Sequence, residues 1–139
     1  MPPEMEAARI LLVEDDASAR ESICELLAHR GYEVQTAGDG RDALNHLFDE
    51  RQPDLMILDM KLPVMDGRQL LAVTRAYHRL ASIPVLVLSA YAVPPIDPDS
   101  VAVVMRKPFD PEDLLVNVAA LARRDRKGAG AHGDSSRGG

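Results

Sequence analysis

A short apolar run that stops at an acidic residue constrains the fold of this chain more than any other feature. Residues 55–58 (Leu-Met-Ile-Leu) are all apolar, and the run is too short for a helix. Such a run is typical of a strand in a parallel sheet that helices cover on both faces. The run ends at Asp59, and Asp66-Gly67 follows a turn. Open α/β sheets keep their sites at the carboxyl ends of strands, so Asp59 is predicted to stand at such a site.

Three more apolar runs predict strands at residues 10–13, 85–88 and 101–105, and the alternating residues 32–37 predict an edge or half-covered strand. Between and after these segments, helix-like patterns predict helices near 18–29, 41–49, 67–79 and 111–122. Because parallel crossovers are right-handed, this alternation predicts an α/β fold with a doubly wound, five-stranded parallel sheet in the flavodoxin-like order 2-1-3-4-5.

The connection between the fourth and fifth strands departs from this regularity. Residues 92–100 contain Pro94, Pro95 and Pro98. A proline inside a helix costs about 3 kcal/mol, so the fourth crossover helix is predicted to be degenerate or missing, with an extended or turn-like segment in its place.

Composition and length predict one soluble domain. Of the 139 residues, 1–8 form a polar lead-in, 9–122 the domain, and 123–139 a basic, Gly-rich tail that we expect to be disordered. We expect no second domain after residue 122, so output is predicted to run through binding. A single cysteine and the lack of a signal-like N-terminus predict a cytoplasmic protein. No apolar run approaches the ~20 residues of a membrane span, so no membrane partner is expected.

Charge is unevenly distributed along the chain. The net charge is −6, and because the tail carries +3, the remainder carries −9. A body this acidic repels phosphates, so the sequence predicts no direct nucleic-acid partner.

Polar groups follow four of the predicted strands. They are Glu14 and Asp15, Asp59, Ser89 and Lys107. Neighbouring carboxylates repel one another, and a divalent cation with a preference for oxygen ligands, such as Mg²⁺, relieves that repulsion. A carboxylate flanked by a hydroxyl and an ammonium beside such a cation is equipped to accept a phosphoryl group. Alone, an aspartate such as Asp59 at a strand end hydrogen-bonds a loop about as often as it serves a site, and residues 14–16 also fit a charge cluster at the start of the first helix. Ser89 and Lys107 alone are more often a turn residue and a surface residue. The combination favours phosphoryl transfer with Asp59 as acceptor.

Four motifs occur in the order of a known family. They are Ile-Leu-Leu-Val-Glu-Asp-Asp, Asp-Leu-Met-Ile-Leu-Asp-Met-Lys-Leu-Pro-Val-Met-Asp-Gly, Pro-Val-Leu-Val-Leu-Ser-Ala and Lys-Pro-Phe. Over about residues 9–122 the chain resembles the CheY-like receiver domain of response regulators in bacterial two-component systems. The spacings of 44 residues from Asp15 to Asp59 and 30 from Asp59 to Ser89 are also similar to the family's.

The resemblance implies a role for each residue of this set. Asp59 is the implied phosphoacceptor, supplied by a sensor histidine kinase or a phosphotransfer protein. The implied Mg²⁺ ligands are Glu14, Asp15, Asp59 and the backbone carbonyl of Lys61. Ser89 is the implied switch hydroxyl and Lys107 the implied phosphate sensor, with a cis Lys107–Pro108 bond. The family also implies a signalling module, not an enzyme beyond its own phosphorylation and dephosphorylation, that acts on a downstream protein the sequence does not identify.

Three alternative functions compete with an active receiver. Val104 stands where similar receivers usually carry an aromatic residue, which, with the proline-rich segment, predicts a non-standard signalling route or a pseudo-receiver that binds constitutively. An aspartyl phosphatase of the haloacid-dehalogenase type needs an acid two residues after the nucleophile, where Lys61 stands. Flavin binding needs a phosphate-cradling loop after the first strand, where Glu14-Asp15-Asp16 would repel phosphate.

Overall fold

The structure is a computed structural model that describes residues 7–49, 51–60, 66–90 and 101–122. Strands and helices alternate from residue 9 to residue 89, with one additional short helix after the third, and a fifth strand and a last helix lie in residues 101–122. The strands are β1 (Arg9–Val13), β2 (Glu33–Ala37), β3 (Leu55–Asp59), β4 (Val85–Ser89) and β5 (Val103–Arg106). The helices are α1 (Ala17–His29), α2 (Gly40–Leu47), α3 (Gly67–Ala76), α4 (His78–Ala81) and α5 (Pro111–Leu121).

All five strands form one parallel sheet in the order β2-β1-β3-β4-β5, which confirms the predicted fold. The order reverses direction between β1 and β3, because the chain moves outward to β2 and then returns across β1 to build the other half. The three central strands have their apolar runs buried, as the absence of polar alternation in residues 55–58 and 85–88 predicts.

Two apolar layers cover the faces of the sheet. Alternate residues of the central strands point to opposite faces, so Leu11 and Leu58 lie in one layer while Leu12 and Ile57 lie in the other. The first layer is closed by α2 and α3, and the second by α1 and α5. Because both faces of the central strands are covered, a site formed by these strands has access to solvent from the strand ends.

Aspartates cap the four longer helices. The side chains of Asp16, Asp39, Asp66 and Asp110 each accept a hydrogen bond from a backbone N–H in the first turn of α1, α2, α3 and α5, respectively. These contacts satisfy N–H groups that have no partner within the helix. The predicted start of the last helix at residue 111 is therefore confirmed, with Asp110 as its cap, and so is the cis Lys107–Pro108 bond.

Gly67 allows the chain to return close to the end of β3. A Cβ atom at this position would lie 2.9 Å from both the Cα and the Sδ of Met60, and the Gly67 N–H donates to the Met60 carbonyl at 3.1 Å. The Asp-Gly pair that follows β3 is thus explained by packing against the residue next to Asp59.

Three local predictions were wrong. The helix predicted for 67–79 ends at Ala76, because Tyr77 is extended and separates it from α4. The fifth strand starts at Val103 instead of residue 101, and it is a half-exposed edge strand. The helical pattern of residues 41–49 predicts Phe48 on the inward face of its helix, but Phe48 is 43% exposed and packs edge-on against Tyr77.

Several predictions concern residues outside the described ranges. They are the lead-in up to residue 6, the Lys61 carbonyl, the degenerate crossover helix at 92–100 and the tail from 123. None of the described helices combines the length and hydrophobicity that a membrane crossing requires.

Candidate functional site

The candidate residues lie at the carboxyl ends of four adjacent strands. Glu14 follows β1, Asp59 and Ser89 are the last residues of β3 and β4, and Lys107 follows β5. The register brings these ends level, because Val13 pairs with Leu58, Asp59 with Leu88, and Ser89 with Arg106. The sheet therefore gathers residues that are far apart in sequence.

Three carboxylates form a compact acidic cluster. Glu14, Asp15 and Asp59 each present one oxygen, and these oxygens lie within 4.8 Å of one another. Glu14 is 2% exposed and Asp59 5% exposed, whereas Asp15 is exposed. At an effective dielectric constant of about 20, two unit charges at this separation repel by roughly 3–4 kcal/mol. The cluster therefore needs a compensating positive charge.

Lys107 supplies part of that charge. Its Nζ donates to Asp59 Oδ2 at 3.0 Å and lies 3.8 Å from Glu14 Oε1. Burial opposes the charge on Lys107, but the hydrogen bond to Asp59 and the neighbouring carboxylates outweigh that effect and raise its pKa. One ammonium against three carboxylates leaves two negative charges when all three are ionised.

Glu14 is the carboxylate that responds most strongly to this environment. Burial, with a smaller contribution from its hydrogen bond with Asp59, raises the pKa of Glu14 to about 7. Its Oε2 accepts from the Asp16 N–H at 3.2 Å, whereas the buried Oε1 has no hydrogen-bond donor among the described residues. A buried carboxylate oxygen without a donor is the kind of atom that a cation satisfies.

The cluster opens into a cavity of about 320 Å³. The acidic residues and Lys107 line it together with Asp16, Met60 and Ala90. Ser89 is not among the residues that line the cavity: its side chain is buried, and its backbone carbonyl accepts from the Lys107 N–H at 2.8 Å. The cavity is large enough for a hydrated cation and a tetrahedral anion side by side.

The donor set fits Mg²⁺. The ligands are hard carboxylate oxygens, and opposite ligands of an octahedral Mg²⁺ lie roughly 4.2 Å apart, twice a bond length of about 2.1 Å. Oxygens within 4.8 Å of one another approach that span with small side-chain adjustments. The charge left uncompensated by Lys107 also corresponds to one divalent cation.

The structure brings four of the predicted site residues into one cavity: Glu14, Asp15, Asp59 and Lys107. Ser89 is attached to the set through its backbone, and Lys61 lies outside the described residues. Arg20 is a residue that the sequence patterns did not single out, although its Nη1 donates to the Glu14 carbonyl at 2.9 Å. The sequence does contain an indication of such a contact: a positive charge near the start of a helix is disfavoured by the helix dipole, so an arginine at this position suggests a compensating interaction.

Comparison with known proteins gives consistent matches. The family model described as "Response regulator receiver domain" matches residues 10–119. "DNA-binding response regulator MtrA" of Mycobacterium tuberculosis is 35% identical over 127 residues, which cover 84% of this chain and 51% of that protein. This chain spans about half the length of the curated relatives it matches.

Solved structures agree with the sequence comparison. Chemotaxis response regulator CheY4 of Vibrio cholerae superposes with a TM-score of 0.74 at 32% identity, over 83% of this chain and 98% of that one. The receiver domain of sensor histidine kinase PA1611 from Pseudomonas aeruginosa has a TM-score of 0.74 at 27% identity, over 84% and 98%. The PA1611 structure holds a magnesium ion coordinated in its active-site cleft.

The prediction of no nucleic-acid partner is contradicted by these matches, since a relative with 35% identity is named as DNA-binding. The prediction came from the negative charge of residues 1–122, which repels phosphates. The charge of one domain does not constrain another, and about half of MtrA lies beyond the match. The same finding removes the basis for the expectation that output needs no second domain.

Proposed function

This chain belongs to the response regulator receiver domain family, and on that premise we propose that Asp59 accepts a phosphoryl group from a sensor histidine kinase or a phosphotransfer protein. The family acts in phosphorylation-dependent two-component signalling. The observation that carries the assignment to Asp59 is its position: it is the carboxylate that both joins the acidic cluster and accepts a hydrogen bond from Lys107 at 3.0 Å.

In the proposed reaction, a carboxylate oxygen of Asp59 forms the new bond to phosphorus. The bond between phosphorus and the nitrogen of the donor's phosphohistidine breaks, and that nitrogen keeps the electron pair. Lys107 remains protonated, because its pKa is raised, and its ammonium moves from bonding the carboxylate alone to bonding a phosphoryl oxygen as well. The Ser89 hydroxyl, at the adjacent strand end, is proposed as a second donor to the phosphoryl group.

Mg²⁺ is the proposed cofactor. Glu14, Asp15 and Asp59 would hold it, with the Lys61 carbonyl as a further expected ligand. When bound, the cation offsets negative charge on the phosphoryl oxygens. Two observations support this assignment: Glu14 Oε1 has no hydrogen-bond donor among the described residues, and the PA1611 structure holds a magnesium ion.

We propose that phosphorylation of this receiver domain controls the activity of a DNA-binding regulator. The support is the similarity to MtrA, together with the large part of that protein that lies outside the match. The aspartyl phosphate carries roughly −1.5 to −2 of charge where the free carboxylate carries −1, a net addition of roughly −0.5 to −1 at the end of β3, and we propose that partner surfaces read this local change.

A phosphoryl mimic tests the assignment without a kinase. Beryllofluoride with Mg²⁺ is expected to raise the melting temperature of the wild-type protein more than either alone, because the two bind the folded state together. Asp59→Asn is expected to lose the joint effect while still folding. An equal response of the wild type and the variant would contradict the proposal and favour a constitutive pseudo-receiver.

A further inference from the structure

Arg20 turns back from α1 towards the start of its own helix. It is the fourth residue of α1, and its Nη1 donates to the Glu14 carbonyl at 2.9 Å and lies 3.5 Å from the Asp15 carbonyl. These carbonyls belong to two residues whose side chains form the acidic cluster. A cation at this end of a helix is disfavoured by the helix dipole, so these contacts offset a local cost.

Two other hydrogen bonds of the loop after β1 involve its backbone N–H groups and not its carbonyls. The Glu14 N–H donates to the Ala37 carbonyl at 3.0 Å, and the Asp16 N–H donates to Glu14 Oε2 at 3.2 Å. These bonds hold N–H groups, whereas Arg20 holds the carbonyls. The orientation of both peptide units, and with it the direction in which each side chain leaves the backbone, is therefore determined in part by Arg20.

The surroundings of Arg20 leave room for this arrangement. Gly38 lies next to the guanidinium, and a Cβ atom at Gly38 would lie 3.6 Å from Nη1 of Arg20. The Arg20 side chain is partly buried, so its hydrogen bonds are only partly open to competition from water.

We propose that Arg20 is a positioning residue for the cation site: it fixes the backbone of Glu14 and Asp15 so that their carboxylates are preset around the cation. The proposal rests on the proposed function, since it concerns the Mg²⁺ that this function requires. The proposal assigns Arg20 no direct contact with the phosphoryl group or the cation, since its guanidinium is held by the carbonyls of the two peptide units.

Three possible roles of Arg20 give different results when its donors are removed. If the main effect of Arg20 on the cation were repulsion between like charges, its removal would tighten Mg²⁺ binding. If Arg20 only supported the fold, its removal would lower stability and leave the Mg²⁺ dissociation constant unchanged. A positioning role predicts weaker binding, by about tenfold, as is typical when an outer-shell partner of a metal ligand is lost.

Calorimetric titration of the full chain with Mg²⁺ distinguishes these roles. The variants are Arg20→Met, which keeps the aliphatic stem but has no donor, and Arg20→Lys, which keeps the charge on a side chain one bond shorter, so that its ammonium does not reach the position of Nη1 that contacts both carbonyls. We expect about tenfold weaker binding for the first and an intermediate constant for the second. Arg41→Ala is the control, because Arg41 is an exposed arginine in the first turn of α2. This variant is expected to bind Mg²⁺ with the dissociation constant of the wild type.

Binding by Arg20→Met that equals or exceeds that of the wild type would overturn the proposal. If Arg20→Met does not unfold cooperatively in urea without metal, Arg20→Lys decides: binding at least about threefold weaker supports positioning, and unchanged binding overturns it. Failure of the wild type to bind Mg²⁺ would instead contradict the proposed function, and with it this proposal.

Discussion

Lys107 Nζ donates to Asp59 Oδ2 at 3.0 Å, although the two residues are 48 positions apart in the chain. They stand at the ends of β5 and β3, on either side of β4. The contact exists because the sheet is parallel and its strand ends are level, so the fold itself places an ammonium beside the carboxylate. Changes to this pair and to the groups around it are therefore expected to have separable effects on phosphorylation, cation binding and stability.

Removal of the Lys107 ammonium is expected to slow phosphorylation without abolishing Mg²⁺ binding. Lys107→Ala lowers the rate of phosphorylation by a small phosphodonor about a hundredfold, the typical cost of losing one preorganised donor to a transferring group. Mg²⁺ binding is retained or tightened, because the acidic cluster loses its competing cation. Arg106→Ala, a change at the adjacent exposed residue, serves as the control and leaves both properties unchanged. A normal rate for Lys107→Ala would contradict the proposed role.

The pKa of Glu14 gives the metal-free protein an unusual pH dependence. Its pKa rises from 4.5 to about 7 on folding, so the folded protein binds more protons than the unfolded chain between these values. The free energy of unfolding therefore falls as pH rises through this window, by a contribution on the order of 2 kcal/mol. Urea unfolding at pH 5 and pH 8 without divalent cations measures the effect.

Glutamine substitution isolates this contribution from other titrating groups. Glu14→Gln is expected to lose the destabilisation that the wild type shows at pH 8 relative to pH 5, because glutamine does not titrate. Glu25→Gln, an exposed change on α1, keeps the wild-type difference. The same pH difference in Glu14→Gln and in the wild type would show that the raised pKa of Glu14 has no effect on stability.

Asp15 and Asp16 are adjacent but have different roles. Asp15 belongs to the acidic cluster, whereas the side chain of Asp16 caps α1 by accepting from the Ala19 N–H at 3.1 Å. Asp15→Ala is expected to weaken Mg²⁺ binding about tenfold or more. Asp16→Ala is expected to cost about 1 kcal/mol of stability and to change Mg²⁺ binding less than about twofold. Calorimetric and urea titrations of both variants check this, and an exchange of the two phenotypes would contradict the assignment.

Gly67 is expected to tolerate no side chain. In Gly67→Ala the new Cβ would lie 2.9 Å from the Met60 Cα, so backbone has to shift, at a cost of about 1–3 kcal/mol. Gly38→Ala is the matched control, because its Cβ meets only an ordinary contact at 3.6 Å. Urea unfolding compares the two; equal stability of the two variants would show that the chain relaxes around Gly67 without cost.

The topology was predictable because buried parallel strands have a simple pattern. Residues 55–58 and 85–88 lack polar alternation, and that alone places them in the middle of a covered sheet. The aspartate and proline at the start of α5 likewise determine its first residue through local capping. Once the strand order is known, Asp59 and Lys107 lie at the same edge of the sheet, at the ends of β3 and β5. Their proximity could therefore be predicted from the sequence.

Other features depend on tertiary packing that local patterns do not encode. The break at Tyr77 lies within a continuous helical pattern, and the edge-on contact with Phe48 joins residues of two different elements. The role of Arg20 depends on where its guanidinium reaches, not on its position in a motif. The prediction of no nucleic-acid partner failed for a different reason, since the charge of the receiver domain carries no information on the rest of a longer protein.

Phosphorylation at Asp59 is the central claim, and intact mass measures it most directly. The wild-type protein and Asp59→Asn are incubated with a small phosphodonor and Mg²⁺, and their masses are compared with samples that contain EDTA. A gain of one phosphoryl group is expected in the wild type only, dependent on Mg²⁺ and located at Asp59 by peptide mapping. A gain of the same mass in Asp59→Asn, or none in the wild type, would contradict phosphoryl transfer to this residue.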